Sequence, residues 1–275
     1  MPLKLPTLAI TAAIVVAALG AGAYWWYGRK PPMPMVAPAP VLQPMAPPAA
    51  PSAPAASEPG AARHPIDAGD AEPAEASAAT LKDALAALLG PENLLRFVLP
   101  ENFVQQTVAT VDALGREHAA PRLWPVVPTP GRFQTEERAG SLWLAADNAR
   151  RYDPFVRFAA GIDAKRAAAL YKRLYPQFQS AYEALGFPGR HFNDRLVEVI
   201  DLLLATPEPP GPLPLVLTEV KGPVPSVRPW TRHEFADPSL EARPAGQKML
   251  LRVGPEHARA LKAQLRAFRA EIARP

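Results

Sequence analysis

Residues 191–207 read HFNDRLVEVIDLLLATP. Wound as a helix, the stretch is apolar over most of its circumference, and such a helix is buried on several sides. A chain that must surround one helix with others is mainly α-helical. Yet Asp194, Glu198 and Asp201 fall four and three residues apart on one narrow stripe. Like charges at these spacings repel on a helix surface, so each acid needs a partner or a task.

Outward from this stretch, helical periodicity recurs. Tyr171, Tyr175, Phe178, Tyr182 and Leu185 form a seam at spacings of 4, 3, 4 and 3, which marks a core face. Pro176 within it removes a helix hydrogen bond and predicts a kink or split there. The patterns predict helices over 80–89, 103–114, 147–160, 163–186, 192–205, 244–252 and 255–272. Thr80 resembles a capping residue, Asn193 an N-cap, and Pro91 and Pro100 first-turn prolines. Residues 132–145 alternate around Glu137–Gly140 as a small β-hairpin. Pro121, Pro125, Pro128 and Pro130 make a rigid connector. Eight prolines between 206 and 234 forbid a long helix, while Leu213–Val220 reads as a short strand. Asp237-Pro238 reads as an N-cap followed by a first-turn proline.

The N-terminal part differs in kind. Leu8 to Tyr27 is a 20-residue run without charge, long enough at ~1.5 Å per residue to cross the ~30 Å core of a bilayer. Lys4 precedes it, Arg29 and Lys30 follow, and Tyr24, Trp25, Trp26 and Tyr27 crowd its far end, as aromatic residues do at a membrane interface. A cleaved signal peptide with Ala21-Gly22-Ala23 as its site is the rival reading. The aromatic belt and flanking cations favour an uncleaved anchor. The short N-terminal tail and the linker that follows point to a single-pass inner-membrane protein with a periplasmic C-terminal domain. Ala9, Ala13, Ala17 and Ala21 recur every four residues, a stripe that permits a homodimer through the anchor.

Residues 31–77 contain 13 prolines and no apolar periodicity. Such composition cannot offset the entropy of ordering, so it predicts a disordered, extended tether reaching on the order of 145 Å at most. The resulting organisation is a tail at 1–7, an anchor at 8–27 in contact with the lipid bilayer, a Pro/Ala-rich linker at 28–77 and one helical domain at 78–275. The domain carries 26 Lys and Arg against 21 Asp and Glu, too slight an excess to predict nucleic-acid binding.

The segments NARRYDPF (148–155), LYKRLYPQFQSAYEALGFP (170–188), FNDRLVEVID (192–201), EFADPSLEA (234–242) and GQKMLLRVGP (246–255) resemble a bacterial family catalogued as domain of unknown function 3014. The anchor and Pro-rich tether are similar to that family's layout. The resemblance implies an assigned domain with no assigned reaction, and it transfers no catalytic residue.

No phosphate loop, nucleophile elbow or H-E-x-x-H motif is present. With no Cys and no metal-ligand spacing among His64, His118, His191, His233 and His257, neither a metal nor a cofactor is expected. The stripe acids have three readings. They perform acid/base chemistry if burial separates their pKa values, they bind a divalent cation, or they belong to a structural charge network. For the network, Arg195 is adjacent, and Arg151 and the i,i+4 pair Lys248 and Arg252 are the expected partners, with Asp201 expected to be the most buried acid. Arg259, Lys262, Arg266 and Arg269 line the last helix as a solvated or anion-facing strip. These readings point to a non-enzymatic envelope protein that binds an unknown protein or wall component. The alternative is an envelope hydrolase working through the 194–201 carboxylates.

Overall fold

The computed structural model describes residues 61–66, 78–218 and 232–273. All lie in one compact unit, Ser57–Pro275. The expected anchor at 8–27, its alanine stripe and most of the linker fall outside the described residues.

Helix α1 (Ala78–Leu89) starts two residues before Thr80 and is stopped by Gly90, whose φ of 83° suits glycine. Pro91 opens α2 (Pro91–Phe97). Helix α3 (Phe103–Leu114) begins three residues later than Pro100 because its capping residue, Asn102, takes a left-handed φ of 56°. Pro121 opens a 3₁₀ turn at Pro121–Leu123. Strands β1 (Thr135–Arg138) and β2 (Ser141–Leu144) form the expected hairpin. Its two-residue turn puts Ala139 at φ 48° and Gly140 at φ 74°, the positive-φ pair that a tight hairpin needs.

The helix expected at 147–160 is split into a 3₁₀ segment (Ala146–Tyr152) and α4 (Asp153–Ala160), with Pro154 in the first turn of α4. Helix α5 (Ala164–Ala184) is capped by Asp163, which accepts a 2.8 Å bond from the Arg166 amide. It runs unbroken through Pro176; the expected split does not occur, since packing on both sides of the seam offsets one lost hydrogen bond. Helix α6 (Phe192–Leu204) is capped at His191 rather than Asn193.

Two more strands follow, β3 (Pro214–Leu217) and β4 (His233–Phe235). The hairpin is therefore half of a four-stranded antiparallel sheet in the order β1-β2-β3-β4. Strand β3 lies within the expected strand at Leu213–Val220, whereas β4, only three residues long, leaves no readable pattern. Asp237 caps the short α7 (Pro238–Glu241), as its sequence predicts. Helices α8 (Ala245–Val253) and α9 (Pro255–Ile272) are separated by Gly254 at φ 95°.

Helix α6 packs against α3, α5, α8 and α9, which is why it is apolar nearly all round. Phe192, Val197 and Ile200 are almost wholly buried. The aromatic part of the seam is core, with Tyr171, Phe178 and Tyr182 buried and Phe178 stacked on Phe192 at 5.8 Å and 5°, whereas Leu185 at its end is exposed. A second cluster joins the sheet to α7 and α8 through Leu213, Leu215, Phe235, Leu240 and Leu251. The domain is thus mainly helical, with a small sheet at one side.

Candidate functional site

The first turn of α6 is capped from outside. Gln179 on α5 accepts from the Phe192 amide at 2.9 Å and from the Tyr175 hydroxyl at 3.1 Å, and its Nε2 donates to the Arg190 carbonyl at 2.7 Å. With that turn fixed, Asn193 points inward and is fully buried. Its Oδ1 accepts from the Tyr171 hydroxyl at 3.1 Å, while its Nδ2 donates to the carbonyls of Ile272 at 3.0 Å and His64 at 2.7 Å. One side chain therefore joins α5, the end of α9 and a segment from before the domain. A buried amide with both ends bonded meets the requirement on buried polar groups.

Asp194 holds the same segment. Its Oδ2 accepts from the Arg63 amide at 3.0 Å and its Oδ1 from the His64 amide at 2.8 Å. Residues 61–66 run over the domain with alternating burial: Ala62, His64 and Ile66 are half-buried, while Ala61, Arg63 and Pro65 are exposed. The chain bends at Arg63 and His64, which lets two successive amides converge on one carboxylate. Ile66 packs against the main core cluster. Residues that composition assigns to the linker thus lie against the domain, because two amides, a carbonyl and one apolar side chain find partners there.

The stripe acids do not share a site. Glu198 is 56% exposed and pairs with Arg195 one turn back at 3.0 Å. Asp201, expected to be the most buried, is 48% exposed in its side chain. Arg269 from α9 grips it with both Nε and Nη2, the latter at 2.9 Å from Oδ2. That bond raises the Arg269 pKa further above its ordinary value. Leu203 turns into the core while Asp201 stays on the outer face, so proximity in sequence to the leucines does not bury it.

The expected partners go elsewhere. Arg151 donates to Asn148 Oδ1 at 2.9 Å and to the Gly131 carbonyl at 3.0 Å. Lys248 and Arg252 do share a helix face, but their acid is Glu241: Lys248 Nζ lies 2.8 Å from Oε1, and Arg252 Nη2 3.9 Å from Oε2. Burial lowers the Arg252 pKa, and Glu241 opposes that shift. Arg195 is the one expected residue tied to a buried acid. Its Nη2 donates to the Asp112 carbonyl at 3.1 Å, and its Nε sits 3.3 Å from Asp112 Oδ1, an ion pair without hydrogen-bond alignment. Gly115 leaves room for it, since a Cβ there would come within 2.7 Å of Arg195 Nη2. Arg116 completes the cluster at 2.6 Å from Asp112 Oδ2.

The strip on α9 is mostly committed as well. Arg259 and Lys262 both bind Glu208, at 3.0 and 3.3 Å, and hold its carboxyl below the ordinary range, while Lys262 also donates to the Thr206 carbonyl at 2.6 Å. Among the described residues no group of three or more His, Asp or Glu gathers as a metal site, and no helix is long and apolar enough to cross a membrane.

Sequence reasoning missed Asn193 as a hub, and missed Asp112, Gln179 and Glu241. Asp112 carried a usable signal: an acid in the apolar run from Val108 to Leu114. A family model described as "Protein of unknown function (DUF3014)" matches residues 103–269. The chain belongs to the DUF3014 family. No curated protein and no solved structure matches. Within the DUF3014 match lie Tyr171, Gln179, Asn193 and Asp194; the segment they hold, 61–66, lies before it. At α6 this DUF3014 domain holds the main chain of Arg63 and His64 through polar side chains, with Ile66 packed against its core.

Proposed function

We propose that this protein is a non-enzymatic interaction or scaffold protein of the cell envelope. Residues 8–27 anchor it once in the inner membrane, the Pro/Ala-rich stretch tethers it, and the helical domain binds a protein or wall component on the periplasmic side. The anchor is supported by its 20 uncharged residues and aromatic flank. The interaction role is supported by one observation above all: the domain grips the main chain of Arg63 and His64 through Asp194 and Asn193. A carboxylate-dependent hydrolase needs two acids facing a substrate with their pKa values drawn apart. Here Asp194, Glu198 and Asp201 each face donors of their own chain.

The test is photocrosslinking in living cells from positions around Asp194, followed by mass spectrometry. A discrete protein or wall adduct is the expected result. Recovery of the intramolecular adduct alone, from every position, contradicts the reading. Reporters fused behind residue 275 test the location: activity confined to the cytoplasm contradicts the proposed orientation.

A further inference from the structure

We infer that the clamp at the start of α6 is a receptor for a bent, proline-containing peptide of a partner protein, and that residues 61–66 are its resident pseudo-ligand. The inference rests on the interaction-protein reading and names the chemistry of the ligand.

Three observations carry it. First, the bonds made by the clamp run to main-chain groups: the Arg63 and His64 amides and the His64 carbonyl. Main-chain recognition sets the conformation of the ligand and leaves several side chains open. Second, the register is defined. Two successive N–H groups meet the two oxygens of Asp194, the next carbonyl meets Asn193, then comes Pro65, and Ile66 enters the core cluster. Proline suits its position because Pro65 is exposed and has no N–H to leave unpaired. Third, the domain itself holds part of the clamp. Asn193 is fixed by Tyr171 and the Ile272 carbonyl, and the helix turn by Gln179. A site held by its own domain keeps its shape when the segment leaves, which limits the ordering cost of taking a second ligand.

The chemistry therefore specifies a partner segment of the form x-x-Pro-aliphatic, bent at its first two positions, with both amides free there. In the intact chain residues 61–66 compete from the same molecule, where the effective concentration of a short tether is on the order of millimolar. A partner gains access when it binds more tightly or when the segment is drawn off.

The experiment uses the full chain in detergent micelles. Residues 61–66 are replaced by a Gly/Ser sequence of equal length, and a fluorescent peptide spanning residues 59–68 is titrated by anisotropy. A second peptide, with Arg63 changed to Ala, tests main-chain reading. The replaced protein is expected to bind both peptides within about threefold of each other, and at least tenfold more tightly than the unaltered chain does. Adding Asp194→Ala to the replaced protein should weaken binding at least tenfold. Equal binding by the unaltered chain, or binding indifferent to Asp194→Ala, overturns the inference, as does no binding by a replaced protein whose circular dichroism matches the original. Should the replaced protein fail to fold, Ile66→Asp in the full chain serves instead, with the same expected gain and the same contrary outcomes. Loss of peptide binding while in-cell crosslinks from another face persist would remove this inference and leave the interaction role standing.

Discussion

Asp112 and Asp201 are both paired acids, but they differ in what the pairing is worth. Asp112 is 9% exposed in its side chain and serves Arg116 and Arg195, the latter 19% exposed. Removing its charge leaves Arg195 near-buried with only the half-exposed Glu198 for compensation, and breaking a buried pair costs ~3–5 kcal/mol. Asp201 and Arg269 are 48% and 35% exposed, where solvent screening holds a pair to ~1 kcal/mol or less. Asp112→Asn is therefore expected to lower the melting temperature several times more than Asp201→Asn; equal shifts would contradict the ranking. Tyr171 supplies a pH signature. Burial pushes its phenol well above the ordinary value of about 10, and Tyr175 and Tyr182 are raised for the same main reason. A raised folded pKa gives stability that is whole below the unfolded value and lost as pH climbs past it. The urea midpoint should fall from about pH 10 upward, and Tyr171→Phe should make that fall shallower while lowering the midpoint at neutral pH through loss of the Asn193 bond. An unchanged alkaline slope would show that Tyr171 is not the group responsible.

At the scale of elements, the close approach of α3, α6 and α8 depends on a missing side chain. A Cβ on Gly246 would lie 2.6 Å from Leu203 Cδ2 and 3.1 Å from the Leu114 carbonyl. Leu203 has some freedom to turn aside, whereas the Leu114 backbone has little. Overpacking of this kind costs ~1–3 kcal/mol, so Gly246→Ala should lower the denaturation midpoint clearly; a neutral result would mean that the helices separate without penalty. The same elements show how far sequence pattern reaches. The seam from Tyr171 to Tyr182 and the apolar circumference of α6 announce burial through period alone, and the Asp237-Pro238 cap is chemically explicit. Pro100 misleads, because the left-handed Asn102 beyond it decides where α3 starts. The partners of Lys248 and Arg252 were equally hidden. Their shared face is periodic and readable, but Glu241 reaches them through a turn whose path no local rule fixes. The clamp was half legible: the acid at 194 stands out, while its partners are backbone amides 130 and 131 residues away, which carry no mark in a sequence.

On the scale of the whole molecule, residues 61–66 of the Pro/Ala-rich stretch are fastened to the helical DUF3014 domain at α6. Composition alone places those six residues in the tether, since a segment rich in Ala and Pro has too little apolar surface to fold by itself. The domain supplies what the segment lacks: a carboxylate for two amides, an amide for one carbonyl and a core edge for Ile66. The most direct test is amide hydrogen exchange by NMR on the full chain in micelles, comparing Arg63 and His64 in the unaltered protein and in Asp194→Ala. Protection of both amides at least tenfold beyond the free-peptide rate, lost in Asp194→Ala while the α5 and α6 amides stay protected, is the result expected. Free-peptide exchange at Arg63 and His64 in the unaltered chain would contradict the clamp, and with it the interaction role built on it.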